Sequence, residues 1–258
     1  MDEDVFLGEI RLFAGILVPR GWVLCNGQLL SASDNPYLFS LLGNSFGGDS
    51  SHFAVPNLAP LKLRDDITIP YIICTTGDFP VRGVSAFLGE IRLLAAPNTQ
   101  YWPENFTACN GATLQVNDNQ ALFSVLDTAY GGSVTDQGGT FLLPSLPPLQ
   151  PTQGPGIAYQ ICAQGFYPTN TGRMEGYVGV LRNWAPVHPY NLPQNWSTCS
   201  AQPMTVGPDN IKLFEIIGLR FGGFNQVFHL PNANPLPTAQ GPALPYLICT
   251  DGLFPQFS

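Results

Sequence analysis

Charge is scarce in this sequence. Asp, Glu, Lys and Arg make up 11% of its 258 residues, against roughly 25% in a typical soluble domain. The cations are the scarcer sign, 10 against 18 acids, and the net charge is −8. That balance argues against nucleic acid and anionic membrane surfaces as partners, because both select for clustered Lys and Arg. No apolar run approaches the ~20 residues of a spanning helix, so membrane insertion is not expected. The opening Met1-Asp-Glu-Asp-Val5 lacks the basic and apolar regions of a signal peptide. Export would then follow a leaderless route or lysis, unless a leader has been removed. Histidine is also sparse: His52, His188 and His229 share no metal-ligand spacing. They read as structural, and no metal, cofactor or catalytic set is expected.

What is abundant is repetition. Phe6-Leu-Gly-Glu-Ile-Arg-Leu-Phe13 returns as Phe87-Leu-Gly-Glu-Ile-Arg-Leu-Leu94, and in worn form as Tyr177-Val-Gly-Val-Leu-Arg-Asn-Trp184. The same landmarks follow each copy in the same order. Pro19…Trp22…Cys25 matches Pro103…Phe106…Cys109 and Pro193…Trp196…Cys199. Leu38-Phe39 with Gly47-Gly48 matches Leu122-Phe123 with Gly131-Gly132 and Leu213-Phe214 with Gly222-Gly223. Phe53/Pro56, Phe141/Pro144 and Phe228/Pro231 come next. Each unit closes on an aromatic strand with a second cysteine: Tyr71-Ile-Ile-Cys74, Tyr159-Gln-Ile-Cys162 and Tyr246-Leu-Ile-Cys249. Self-similarity at a steady period defines a repeat architecture, here three small domains over residues 1–82, 83–172 and 173–258. Domains this small bury a low fraction of their surface, so the three are expected to pack together.

The six cysteines fall two per unit. One reading is a disulfide within each unit, Cys25–Cys74, Cys109–Cys162 and Cys199–Cys249, which would imply an oxidising environment. Closing loops of this length would contribute roughly 4 kcal/mol each in the chain-entropy model. The other reading is six small buried thiols.

Each unit reads as short strands and one short helix, an α+β, mainly β fold. In the first unit the opening strand places Glu9 and Arg11 on one face and Ile10 and Leu12 on the other. Trp22 to Cys25 is a second strand, ended by the turn pair Asn26-Gly27, and Leu29-Leu30 a returning one. Asp34-Asn35-Pro36 caps a helix over Tyr37 to Leu42, stopped by Gly43. The corresponding helices end at Leu126 and span Ile211 to Ile217. Phe53 to Val55 is a brief strand, Asn57 to Ile69 a variable loop, and Pro70 to Thr75 the closing strand. The third unit diverges most at its opening, where the Gly-Glu pair and the apolar ending are lost and Trp184, His188 and Tyr190 appear.

Leu7-Gly-Glu-Ile-Arg-Leu-Phe13, Pro19-Arg-Gly-Trp22, Cys25-Asn-Gly-Gln28, Leu38-Phe39-Ser-Leu-Leu-Gly43, Phe46-Gly-Gly48, Phe53…Pro56 and Tyr71-Ile-Ile73…Gly77…Pro80 together resemble the phage tail collar domain. The family also occurs in bacterial microcystin-dependent proteins. The resemblance covers all of the first unit, most of the second and less of the third. It implies a module of tail-fibre ancestry used for attachment or assembly rather than catalysis. Family domains in short fibres are associated with trimers, so three copies in one chain imply a pseudo-threefold monomer. The position of Cys74 is more often small in the family, which adds weight to the disulfide reading.

The Glu9/Arg11 and Glu90/Arg92 pairs, with Arg182 but Val180 in the third unit, read as strand-surface or inter-unit ion pairs. Asp65-Asp66 reads as a solvated loop, and the Gly-Gly pairs follow a helix rather than precede one, so they are no phosphate loop. Two functions remain. One is a structural subunit of an extracellular or tail-derived filament or appendage, a homo-oligomer or a filament with itself or related collar proteins, joined at the exposed strand edges of units one and three. The other is an adhesion module for a glycan or surface receptor at a fibre tip, with Trp184, His188, Tyr190 and Trp196 as the candidate contact patch; core packing is the competing reading for these aromatics.

Overall fold

The computed structural model describes residues 5–63, 67–80, 83, 85–136, 138–169, 173–174, 176–187 and 192–257. The fold is α+β and mainly β. Each third of the chain gives three strands to one nine-stranded sheet. They are β1 (Glu9–Phe13), β2 (Trp22–Leu24) and β3 (Tyr71–Cys74); β4 (Glu90–Leu94), β5 (Phe106–Ala108) and β6 (Tyr159–Cys162); and β7 (Val180–Trp184), β8 (Trp196–Thr198) and β9 (Tyr246–Cys249).

Within each third the ladder is the same. The closing strand lies between the other two: β3 pairs β1 and β2, β6 pairs β4 and β5, and β9 pairs β7 and β8, all antiparallel. The chain crosses into each opening strand at a glycine with positive φ, Gly8 at 77°, Gly89 at 82° and Gly179 at 87°. Only glycine adopts this conformation without strain. Space enforces the choice as well. A β-carbon on Gly8 would meet the Leu41 side chain at 2.7 Å, and one on Gly179 would meet Ile216 at 2.8 Å.

The opening strands also pair with one another in a closed cycle. Glu9 and Ile10 of β1 face Leu94 and Leu93 of β4. Glu90 and Ile91 of β4 face Trp184 and Asn183 of β7. Val180 and Leu181 of β7 face Phe13 and Leu12 of β1. The first half of each strand thus pairs with the last half of the next. Equivalent backbone bonds close each junction: Ala95 N–H to Gly8 O (2.9 Å), Ala185 N–H to Gly89 O (3.1 Å) and Ala14 N–H to Gly179 O (2.9 Å).

Every residue of β1, β4 and β7 is buried as a result. The expected joints at the strand edges of units one and three are therefore not available on these opening strands. Edges of the large sheet fall instead on β2, β5 and β8, which each pair with one neighbour.

A helix follows in each third: α1 (Pro36–Leu42), α2 (Gln120–Leu126) and α3 (Ile211–Ile217). Each buries its i, i+3, i+4 stripe, Leu38/Leu41/Leu42, Leu122/Val125/Leu126 and Leu213/Ile216/Ile217. Each also stacks a phenylalanine on a strand phenylalanine with centroids 5.4 Å apart: Phe39 on Phe53, Phe123 on Phe141, Phe214 on Phe228.

The expected side-chain cap does not form. Asn35 turns back to donate its carboxamide to Ser31 O at 3.1 Å, although Pro36 does begin the helix. The Leu29–Ser31 strand also departs from expectation, pairing with His52–Ala54 rather than returning along β2. A two-stranded hairpin, Leu61–Lys62 with Thr68–Ile69, occupies the ends of the first variable loop. One continuous hydrophobic cluster draws residues from all three thirds of the chain.

Candidate functional site

The alternation read from Glu9-Ile-Arg11 holds, but neither face meets water. The charged face of the strand cycle gathers Glu9, Arg11, Glu90, Arg92 and Arg182, all buried. Arg11 Nε donates to Glu9 Oε1 at 2.7 Å and Arg92 Nε to Glu90 Oε1 at 2.8 Å, two residues apart on one strand. Between strands, Arg182 Nη1 donates to Glu90 Oε1 at 2.5 Å, and Arg92 Nη1 lies 3.8 Å from Glu9 Oε2. The second carboxylate oxygens accept backbone N–H groups, Phe6 to Glu9 (3.2 Å) and Phe87 to Glu90 (3.3 Å).

An aromatic ring from the same third covers each guanidinium. Arg11 lies 5.2 Å from the Trp22 ring, Arg92 5.4 Å from Phe106 and Arg182 5.4 Å from Trp196. The aromatic of the Pro-x-x-Trp/Phe motif is therefore the lid of the Glu-x-Arg motif. Burial would push the Glu9 carboxyl up, but the fields of Arg11, Arg92 and Arg182 override it and bring the pKa down to about 2. Glu90 is lowered by the same balance, burial opposing Arg182 and Arg92. Burial, with Arg11 adding like-charge repulsion, lowers Arg182 to about 10. Arg182 is the member whose own strand supplies no carboxylate, since Val180 stands where Glu9 and Glu90 stand.

The opposite face of the cycle gathers tyrosines. Tyr71, Tyr159 and Tyr246 oppose Leu12, Leu93 and Asn183 in the ladders. Tyr71 and Tyr159 influence each other's ionisation, and the Asn183 side chain influences that of Tyr246. Burial raises all three phenol pKa values. Asn183 thus replaces a leucine where the third tyrosine needs a partner. This ring was not singled out from the sequence. Its signal was present in the tyrosine heading each closing strand, which hydropathy alone reads as ordinary core.

The disulfide expectation is corrected. All six cysteines are buried, and none is in a disulfide. Trp22 opposes Cys74 in the β2–β3 ladder, while Cys25 N–H bonds Tyr71 O. The two cysteines lie three strand positions apart, about 10 Å, and on opposite faces. Disulfides need Cα atoms within about 7 Å. The same registers hold for Cys109/Cys162 and Cys199/Cys249. Burial drives the thiol pKa up at Cys25, Cys74, Cys109, Cys162 and Cys199, to about 12 for Cys74 and Cys162.

The candidate aromatic patch does not assemble at the surface. Trp196 is 2% exposed, under Arg182, and donates its indole N–H to Met174 O at 2.9 Å. Trp184 is 3% exposed and opposes Glu90 in the β4–β7 ladder. His188 and Tyr190 lie outside the described residues, as do Asp65 and Asp66. His52 is exposed against Ser51, with 3.0 Å between Nδ1 and Oγ, and His229 is partly buried in its strand.

Contacts beyond the sheet also join the thirds. Arg220 Nη1 donates to Ala14 O (2.8 Å) and Gly15 O (3.2 Å), and Nη2 to Thr68 O (2.6 Å). Tyr130 OH donates to Ala185 O at 2.9 Å. Thr152 N–H reaches Asn57 O at 2.8 Å, and Ala239 N–H reaches Ser145 O at 2.9 Å.

The family model of the phage tail collar domain matches two segments of the chain, residues 8–61 and 89–148. Neither a curated protein nor a solved structure matches the chain significantly. No described helix is long and apolar enough to cross a membrane.

Proposed function

We propose that this chain is a non-enzymatic structural subunit of a phage-tail-derived or extracellular fibre or appendage. In this reading three collar-like units, residues 1–82, 83–172 and 173–258, close about a pseudo-threefold axis, and one polypeptide takes the place of three. The observation that carries it is the cyclic exchange of half-strands among β1, β4 and β7. The charge cluster pins the same junction, linking Arg182 to Glu90 and Arg92 to Glu9 across strand boundaries.

Assembly with further copies, or with related collar proteins, uses surfaces away from that axis. Exposed apolar side chains such as Tyr37, Phe166 and Phe224 are candidate contacts. The location is the virion tail, the cell surface or the extracellular space. Glycan or receptor binding at a fibre tip is the other reading, and the burial of Trp184 and Trp196 weakens it.

Negative-stain electron microscopy across a concentration series tests the proposal. Regular filaments or closed assemblies that grow with concentration are expected. Discrete single particles at every concentration, with glycan-dependent thermal stabilisation, would overturn it in favour of the tip module.

A further inference from the structure

The three junctions of the strand cycle are not equivalent. The chain itself runs from the first repeat to the second and from the second to the third, but no peptide link joins the third back to the first. The ion pairs between repeats divide in the same way. Arg182 of the third repeat donates to Glu90 of the second, and Arg92 of the second lies 3.8 Å from Glu9 of the first. The next link in that series would run from the first repeat to a carboxylate at position 180 of the third, where valine stands.

Other contacts hold the junction between the third repeat and the first. β1 and β7 pair over Leu12–Leu181 and Phe13–Val180. Arg20 N–H bonds Gln256 O at 2.7 Å. Arg220 stands where the other repeats have Ser45 and Ala129. Its half-buried guanidinium donates to the carbonyls of Ala14, Gly15 and Thr68 in the first repeat. These acceptors are neutral, so water can take over both sides when the junction parts.

We propose that this junction is a seam, and that its two halves are an interaction surface for a second copy of this chain. The third repeat of one chain closes on the first repeat of another, through the contacts that close the single chain. The inference rests on the reading of three units closed about one axis, and it names a joint separate from the exposed apolar contacts. Exchange between chains remakes every contact of the seam, so it costs only the loss of a tethered partner. A short linker presents that partner at a roughly millimolar effective concentration. Dilute chains therefore close on themselves, and crowded chains exchange.

The test starts from folded monomer, held with reductant well below and then near that roughly millimolar concentration. Light scattering reads the mass after a common dilution. Dimers and higher multiples should appear only in the concentrated sample, and should outlast dilution because β1 and β7 must separate to release them. Arg220→Ala should speed their appearance roughly tenfold or more, the factor that one hydrogen bond to a charged group carries. Asn210→Ala removes two hydrogen bonds inside the third repeat and should leave the rate unchanged. A staple identifies the joint. Ala14 N–H bonds Gly179 O, so the next pair, Phe13–Val180, is a non-hydrogen-bonded one with Cα atoms about 4.5 Å apart, within disulfide reach. Phe13→Cys with Val180→Cys, oxidised as monomer, should form no multiples until reductant is added. Multiples that dissociate on dilution, or equal acceleration by Arg220→Ala and Asn210→Ala, would overturn the proposal. Compact monomer alone at every concentration would overturn the seam and leave the closed units standing, whereas a monomer with separated units would overturn both.

Discussion

Arg182 of β7 donates to Glu90 of β4 at 2.5 Å, joining the third repeat to the second through two side chains that are both buried. Glu90 also accepts from Arg92, so one carboxylate holds two guanidinium groups. Removing one member of a buried pair costs about 3–5 kcal/mol, because the other charge is left buried and unpaired. Glu90→Gln is therefore expected to lower unfolding free energy by about that amount in guanidinium titrations. Glu9→Gln should cost less, since Glu9 has one close guanidinium, Arg11, and a second at 3.8 Å. Equal losses would mean that the Arg182 contact contributes nothing.

Acid should weaken the fold through the same cluster. Burial opposes ionisation of Glu9, yet the surrounding arginines depress its pKa from 4.5 to about 2. A depressed carboxylate contributes stability that is complete above pH 4.5 and is lost as pH falls through about 2. The shift corresponds to about 3 kcal/mol. Unfolding free energy measured between pH 6 and pH 2 should fall across this window, and the fall should be shallower in Glu9→Gln. Parallel curves for the two proteins would remove Glu9 from the account.

One helix end is strained. α1 and α3 stop at Gly43 and Gly218, both at φ 52°, and α2 stops at Asp127 with φ 50° and ψ −148°. Such a backbone favours glycine, and nothing lies within 4 Å of a β-carbon built at the two glycine stops, so the strain at Asp127 is conformational rather than crowding. Asp127→Gly should raise stability by about 1 kcal/mol. It loses only an exposed bond from Thr128 N–H to Asp127 Oδ1, which water replaces. An unchanged or lowered Tm would show that this bond outweighs the strain.

The thiols should be silent. All six are buried, burial raises the pKa of Cys25, Cys74, Cys109, Cys162 and Cys199, and only the thiolate reacts. Ellman's reagent should find no reactive thiol in the native protein and six after unfolding in guanidinium. Reductant should leave Tm unchanged. Fewer than six thiols after unfolding would restore the disulfide reading.

Much of this fold is legible in the sequence because the repeat prints each element three times. The helix over Ile211–Ile217 and the closing strands fall where the apolar spacing puts them. The site is less legible for a physical reason. A strand reading Glu-Ile-Arg-Leu alternates as a surface strand does, and nothing local tells it that its neighbours are two copies of itself. Exchange of half-strands between distant repeats buries both faces, and that is a long-range event. The lids Trp22, Phe106 and Trp196 were in register in the sequence, yet their contact with arginine depends on which face of the ladder each occupies. The cysteines failed similarly. Their spacing suits a loop closure, and only the register reveals opposite faces.

The central claim is that the three repeats of one chain close on one another through the cycle of β1, β4 and β7. Small-angle X-ray scattering with absolute calibration on dilute protein tests it most directly. The account predicts a monomer mass of 27.9 kDa with a radius of gyration of about 18 Å, as for a compact chain of this length. A monomer with a markedly larger radius, showing separated units, would contradict it, and so would an obligate particle of three chains.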